Sequence, residues 1–564
     1  MNQKNNANKI ALRDIAQRYE QAMFNRSPEI AMYWGRLDAP LDKFMDRKLS
    51  AIEAWRKTED NFLSELNVLS IQDLKDSPEY HTYQLLKQTL ENEKAGRVCK
   101  DELWNVNPML GWHNIAAMVA EKQPVGTNEY RELAIKRFSS LTEVVDDEIN
   151  NLRVGLKEGY TAPKPVVQRV LKQLAILKNT PVESSPYFEL AIRDGSPEFK
   201  RRMADVIENH INPAITRYAA FLENEYLPVA RDKVGVMALP HGEQCYKAKV
   251  MKETTLSITA KAIFDYGQQH MEQIRREVAE IGQREFATQD MSEVFHLAKE
   301  KSTHYFQSEK DILDYNFAAL ERVKNKVPAW FDMLPKVEGI IKPYPLHRAQ
   351  TGAPGEYHPP SDDGKRPGIF YINTYEPEKR SRIDQEATLF HELIPGHHFQ
   401  IALVMEDKTQ LSINKYLWNS GYGEGWALYT ERLADEMGLY SDDISRLGML
   451  SNEALRAARL VVDPGLHVMN WTRQQAVDYL KQHTAMDDNI IEAEVDRYIM
   501  LPGQATSYML GKREIASLRE KAKQQLGSKF DIRQYHNQVL KNGTVTLPML
   551  RGQIEDWIER ARFS

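Results

Sequence analysis

Eight residues from His391 to His398 read His-Glu-Leu-Ile-Pro-Gly-His-His, and a regular helix cannot bring the first His and either of the last two to one ion. Two His that share a metal from one helix usually lie four residues apart, because four steps of about 100° return to the same side. Here His397 follows His391 by six residues, and six steps of about 600° leave its ring on the wrong side. The segment therefore requires a helix that breaks. Pro395 removes a helical donor and Gly396 tolerates unusual dihedrals, so these two are expected to loop out and deliver His397 as the second ligand. His398 is the rival. Seven steps bring it nearly over His391 but about 10 Å along the axis, so it is expected to point away and to support the ligands from behind. Packing at a helix end is the bland reading of these residues, and three His and one Glu within eight positions make it the weaker one.

A hydrolytic zinc site uses three protein ligands and keeps one position open. It also needs a carboxylate that can take a proton from water, and Glu392 stands beside the first ligand. The third ligand is expected from Asn419 to Glu431, where Glu424 sits among small residues that would let its backbone approach the metal helix. Glu431 and Asp435 fall near the same helical face as Glu424; either could hold a His ring from behind, with a solvated helix charge as the competing reading. One Zn²⁺ per chain is expected. Tyr508, in PGQATSY, and His467, in DPGLH, are candidate donors to an oxyanion, each with a satisfied core residue as its alternative. Gln504 would orient Tyr508 or bond a substrate amide.

Around this centre the pattern is mainly α. Apolar residues recur at three- and four-residue spacing over Ala11 to Ala22, Leu49 to Leu66, Tyr130 to Glu158, Pro165 to Lys178, Ser196 to Leu222 and Thr259 to Gly282. Ser196 and Pro197 read as a cap and first helical residue. Ile341 to Pro377 is instead rich in Pro, Gly, Tyr and Asp, and within it Gly368 to Thr374 reads as a strand. The expectation is a large helical fold with a deep cleft and one small β-sheet beside the metal helix. Residues 1–235 would form a helical wall of the cleft and 236–564 the catalytic half, joined as one continuous fold. The strand is expected at a sheet edge, where it could pair with an extended peptide, with Asn373 and Tyr375 closing it against the substrate. Arg497 and Arg459 lie nearest the catalytic motifs and could hold a terminal carboxylate; a structural salt bridge is the competing reading.

The 564 residues carry a net charge of -6, spread along the chain. There is no basic stripe of the kind nucleic acid requires, so a short peptide is the expected partner. Cys99 and Cys245 stand alone in the sequence and are expected to be buried free thiols, pairing with each other only if the fold brings them together. No stretch reaches the roughly 20 apolar residues that span a bilayer. The opening residues show no signal peptide, which points to the cytoplasm; the alternative is an exported or lipid-anchored protein whose signal has been removed.

Several segments together resemble the bacterial family called domain of unknown function 885. They are LPHGEQCYKAKVMKETT from Leu239, DGKRPGIFYINTYEP from Asp363, HELIPGHHFQ from His391, GEGWALYTE from Gly423, RLVVDPGLHVMNWTRQQAVDYL from Arg459, PGQATSYMLG from Pro502 and VLKNGTVTLPMLRGQIEDWI near the end. The likeness is strong from Leu239 onward and weak before it. It implies kinship with gluzincin peptidases, which bind zinc through two His and a Glu. The combined expectation is zinc-dependent hydrolysis of short peptides, carboxypeptidase- or oligopeptidase-like, with Glu392 as general base. The alternatives are a zinc-dependent hydrolase of another amide or ester and a non-catalytic zinc or peptide-binding protein.

Overall fold

The computed structural model describes residues 2–75, 77–344, 355–360 and 364–563. Residues 345–354 and 361–363, which include Asp363 and much of the Pro- and Gly-rich stretch, lie outside the described residues. The chain divides into two compact units, Met1–Asp76 with Leu86–Tyr246, and Ser77–Leu85 with Lys247–Ser564.

The first unit is helical where the apolar spacing says it should be: Asn2–Arg26, Leu49–Val68, Lys164–Asn179 and a run that begins at Pro197. Ser196 caps that last helix, accepting from the Phe199 amide, with Pro197 first inside. The stretch expected as one helix from Tyr130 to Glu158 is two, Asn128–Ser139 and Leu141–Glu158. The Ser140 hydroxyl between them bonds the Arg137 carbonyl at 2.6 Å, a local bond that competes with the helical ladder. Phe138, Leu152, Val170, Leu174, Phe199 and Met203 meet in the core of this unit. Cys99 and Cys245 are not free thiols. Their Cα atoms lie 4.8 Å apart and the two form a disulfide across 146 residues of sequence. Only tertiary packing brings such distant residues together, which is why neither flanking sequence announced the bond.

The second unit holds a three-stranded sheet and a set of long helices. The strands are β1 (Gly339–Pro343), β2 (Gly355–His358) and β3 (Gly368–Ile372), in the order β1-β3-β2. β1 runs parallel to β3 and β2 antiparallel to it. β3 is therefore the central strand, and the expected free edge for a peptide does not exist on it. The physical reason is visible in its composition. Gly-Ile-Phe-Tyr-Ile is buried at four of five positions, and a strand covered on both faces reads as a continuous apolar run rather than an alternating one.

The helices that matter below are α1 (Gln385–Glu392), α2 (His397–Glu406), α3 (Ser420–Glu436), α4 (Asp443–His467), α5 (Asp488–Met500) and α6 (Ser507–Leu526). Phe331, Phe390, Phe399, Trp426 and Tyr535 belong to the core that α1, α2, α3 and the sheet share. The small residues around Glu424 serve a different contact from the one expected. A Cβ on Gly425 would stand 2.5 Å from the Gly511 backbone, and one on Gly511 would stand 1.8 Å from the Gly421 carbonyl oxygen. The close approach is thus between α3 and α6, backbone to backbone, and not between α3 and the helix that carries His391.

Candidate metal centre

The helix that carries His391 ends at Glu392, and Leu393 leaves helical space with φ -110° and ψ -89°. Ile394-Pro395 is a cis peptide, and the chain re-enters a helix at His397. Gly396 sits so close to the end of α1 that a Cβ would meet the His391 carbonyl oxygen at 1.9 Å and that of Phe390 at 2.4 Å. Only glycine fits there. The break thus folds the start of α2 back over the end of α1, and the rings of His391 and His397 stand edge to face with centroids 4.8 Å apart.

α3 grips this break from one side. Asn419 caps it by accepting from the Tyr422 amide at 2.9 Å. The Trp426 indole donates to the Pro395 carbonyl at 3.0 Å and Thr430 to the Phe390 carbonyl at 3.3 Å. On the same helix Glu424 and Glu431 both meet the His rings. Glu424 Oε2 lies 3.5 Å from His391 Nε2 and 3.2 Å from His397 Nε2. Nδ1 of His391 donates to Glu431 at 2.7 Å, which leaves Nε2 facing Glu424.

His391, His397 and Glu424 offer donor atoms that all lie within 4.8 Å of one another. Three tests bear on whether a zinc ion suits them. The donor set, two imidazoles and a carboxylate, is a zinc set. Ligands about 2.05 Å from one tetrahedral ion stand roughly 3.3 Å apart, close to the two His–Glu424 separations of 3.5 and 3.2 Å. Finally, Oε2 of Glu424 is buried without a hydrogen-bond partner, so it faces the two rings in an arrangement that an ion would complete. Burial opposes a charge on His391, but the neighbouring carboxylates Glu424, Glu431 and Glu392 push its pKa up to about 10. The residues fit the ion.

Glu392 follows His391 directly and is half-buried. His398 turns the other way. Its Nδ1 accepts from the Tyr357 hydroxyl at 2.8 Å and its Nε2 donates to the Val337 carbonyl at 3.0 Å. Burial pushes its pKa down to about 4, and the neutral ring has one donor and one acceptor, each used. Its seat is a pair of glycines in register on β1 and β3, Gly339 and Gly368; a Cβ on either would come within 2.7 Å of the ring. His398 therefore anchors α2 to the sheet.

The remaining candidates are placed unequally. Asp435 pairs with Arg446 at 2.8 Å, whereas Glu431 holds His391. His467 is fully buried with Nε2 donating to the Tyr498 carbonyl at 2.8 Å, the position of a core His and not of a group that meets substrate. Asn373 is buried and accepts from the Tyr375 amide at 3.1 Å, an Asx turn that ends β3. Gln504 does not orient Tyr508 directly; its carbonyl accepts from Arg497 at 2.7 Å, and the same guanidinium donates to the Tyr508 hydroxyl at 3.3 Å. Two residues went unnoticed in the sequence. Arg456 lies 3.9 Å from Glu431. Trp418 is 47% exposed, with its ring 6.1 Å from that of His397. Neither sits in a motif, and only the fold shows them.

Glu431→Gln keeps the shape but removes the charge behind His391. The expected result is metal affinity lower by about 10–100-fold, read by competition with a chromogenic chelator. Unchanged affinity would show that His391 needs no support from Glu431.

Comparison with solved structures shows the same fold elsewhere. A crystal structure described as a "putative lipoprotein from Colwellia psychrerythraea" matches with a TM-score of 0.90 at 24% identity, over 98% of this chain and 99% of that one. A second, described as a "putative lipoprotein of unknown function from Shewanella oneidensis", matches with a TM-score of 0.74 at 17% identity, over 96% and 99%. No curated protein shows significant similarity. Residues 28–554 match one family throughout, so the likeness that was weak ahead of Leu239 extends across nearly the whole chain, and the protein belongs to the family described as "Bacterial protein of unknown function (DUF885)".

Proposed function

We propose that the protein is a zinc-dependent peptidase of gluzincin-like design, acting on short peptides. The observation that carries this is the convergence of His391, His397 and Glu424 within 4.8 Å, directly beside the half-buried Glu392. A bound zinc ion would supply Lewis acidity to water and to the substrate carbonyl. Glu392 takes the proton from the attacking water and returns it to the leaving amine. Glu431 fixes the tautomer and direction of His391. Tyr508, held by Arg497, is the candidate donor to the developing oxyanion. A purely structural zinc site has no use for a carboxylate next to its first ligand, which favours catalysis over the binding-protein alternative.

The expected zinc content is about one ion per chain, and hydrolysis of mixed oligopeptides is expected to stop with a chelator and return with zinc. Turnover of esters or non-peptide amides alone, by the metal-loaded protein, would move the reading to another hydrolase. An exported or lipid-anchored location goes with this proposal, in place of the cytoplasm. The Cys99–Cys245 disulfide suits an oxidising compartment, and both solved neighbours are described as putative lipoproteins. No helix among the described residues is long and apolar enough to cross a membrane.

A further inference from the structure

Three arginines gather around Tyr508. The Arg459 guanidinium lies over its ring with 4.6 Å to the centroid, and that of Arg456 lies at 5.7 Å. Arg497 donates to its hydroxyl at 3.3 Å. One carboxylate serves two of them: Glu494 accepts from Arg459 at 2.8 Å and from Arg497 at 3.3 Å. Arg456 is paired only loosely with Glu431, at 3.9 Å, and that carboxylate is already bonded to His391.

A buried N–H without an acceptor is costly, and this network leaves several while two of its three guanidinium charges share one carboxylate. Nε of Arg456, Nη1 of Arg459 and Nε of Arg497 are all buried with no hydrogen-bond partner. The group is nonetheless within reach of solvent. The Arg497 side chain is 18% exposed and that of Arg456 13%, while Arg459 at 5% supports them from behind. The exposed edges of Arg497 and Arg456 offer guanidinium donors whose planar geometry matches the two oxygens of a carboxylate. Through Arg456 and Glu431 the cluster adjoins the metal ligand His391.

We propose that Arg456, Arg459 and Arg497 form a carboxylate pocket that anchors a peptide substrate by its C-terminus, so that the bond presented to Glu392 lies near that end. The proposal rests on the peptidase reading and specifies its substrate class. An acidic side chain offers the same chemistry, and the test separates the two sources.

Binding of acetylated tripeptides to zinc-loaded Glu392→Gln protein is measured by calorimetry, for three sets: free acids, the matching C-terminal amides, and amides carrying one Glu. The expected result is that free acids bind about 10–100-fold more tightly than amides. Arg497→Gln should erase that preference while leaving zinc content unchanged. In the wild-type enzyme the same preference should appear in KM more than in kcat, with products cut near the C-terminus. A preference for Glu-bearing amides over free acids would overturn the terminal anchor and assign the pocket to an acidic side chain. Equal binding of all three sets would overturn the pocket, even if peptides are hydrolysed. If acids bind selectively through Arg497 but no peptide is cut, the pocket stands and the peptidase reading falls.

Discussion

Glu392→Gln is expected to lower kcat by about 10²–10⁴-fold while leaving zinc content and thermal stability near those of the parent. The side chain keeps its size, and the ligand atoms of His391, His397 and Glu424 are untouched. What is lost is the carboxylate proposed to accept a proton from water. Because Glu392 ends α1 and is half-buried, the amide can occupy the same space without stranding a charge in the core. The measurement is steady-state turnover of a fluorogenic peptide beside metal analysis of the same sample. Turnover near the parent's value would remove Glu392 from the mechanism, whatever the metal does.

The second large effect separates the neighbouring His residues. His397→Ala should reduce bound zinc from about one per chain to near none, since two ligands hold an ion far less firmly than three. His398→Ala should keep the zinc and instead lose stability. Removing that ring strands the Tyr357 hydroxyl and the Val337 carbonyl and leaves a void over Gly339 and Gly368. The cost is on the order of 2–4 kcal/mol, visible as a lower Tm. The opposite pattern, with zinc lost from His398→Ala and kept in His397→Ala, would reassign the second ligand.

The sequence made the local parts of this centre readable and left the tertiary parts dark. Six-residue spacing around Pro395-Gly396 lets His391 and His397 meet only across a helix break, and Glu424 and Glu431, seven apart, share a helical face. Ser196-Pro197 likewise marks a helix start through local chemistry. By contrast, the partner of Cys99, the neighbours of β3 and the helix that Gly421 and Gly425 touch are set by residues far away in the chain. The glycines around Glu424 correctly signalled a close approach, but periodicity does not say which helix approaches. Arg456 reads from sequence as one more charge on a long helix, and only its distance to Glu431 gives it a place.

The division of the chain has a consequence for the ribosome. Ser77–Leu85 is packed within the second unit although the chain on both sides of it belongs to the first. Inside that segment His81 is buried and bonds the Thr544 carbonyl, 463 residues later in sequence. At about 5–20 residues per second of synthesis, His81 waits roughly 20–90 s before its partner exists. Most of the first unit can close during that interval, whereas the second unit is not complete until Thr544 has been made. A fragment that starts at Lys247 would lack this piece of its own interior, so no single cut releases the second unit whole.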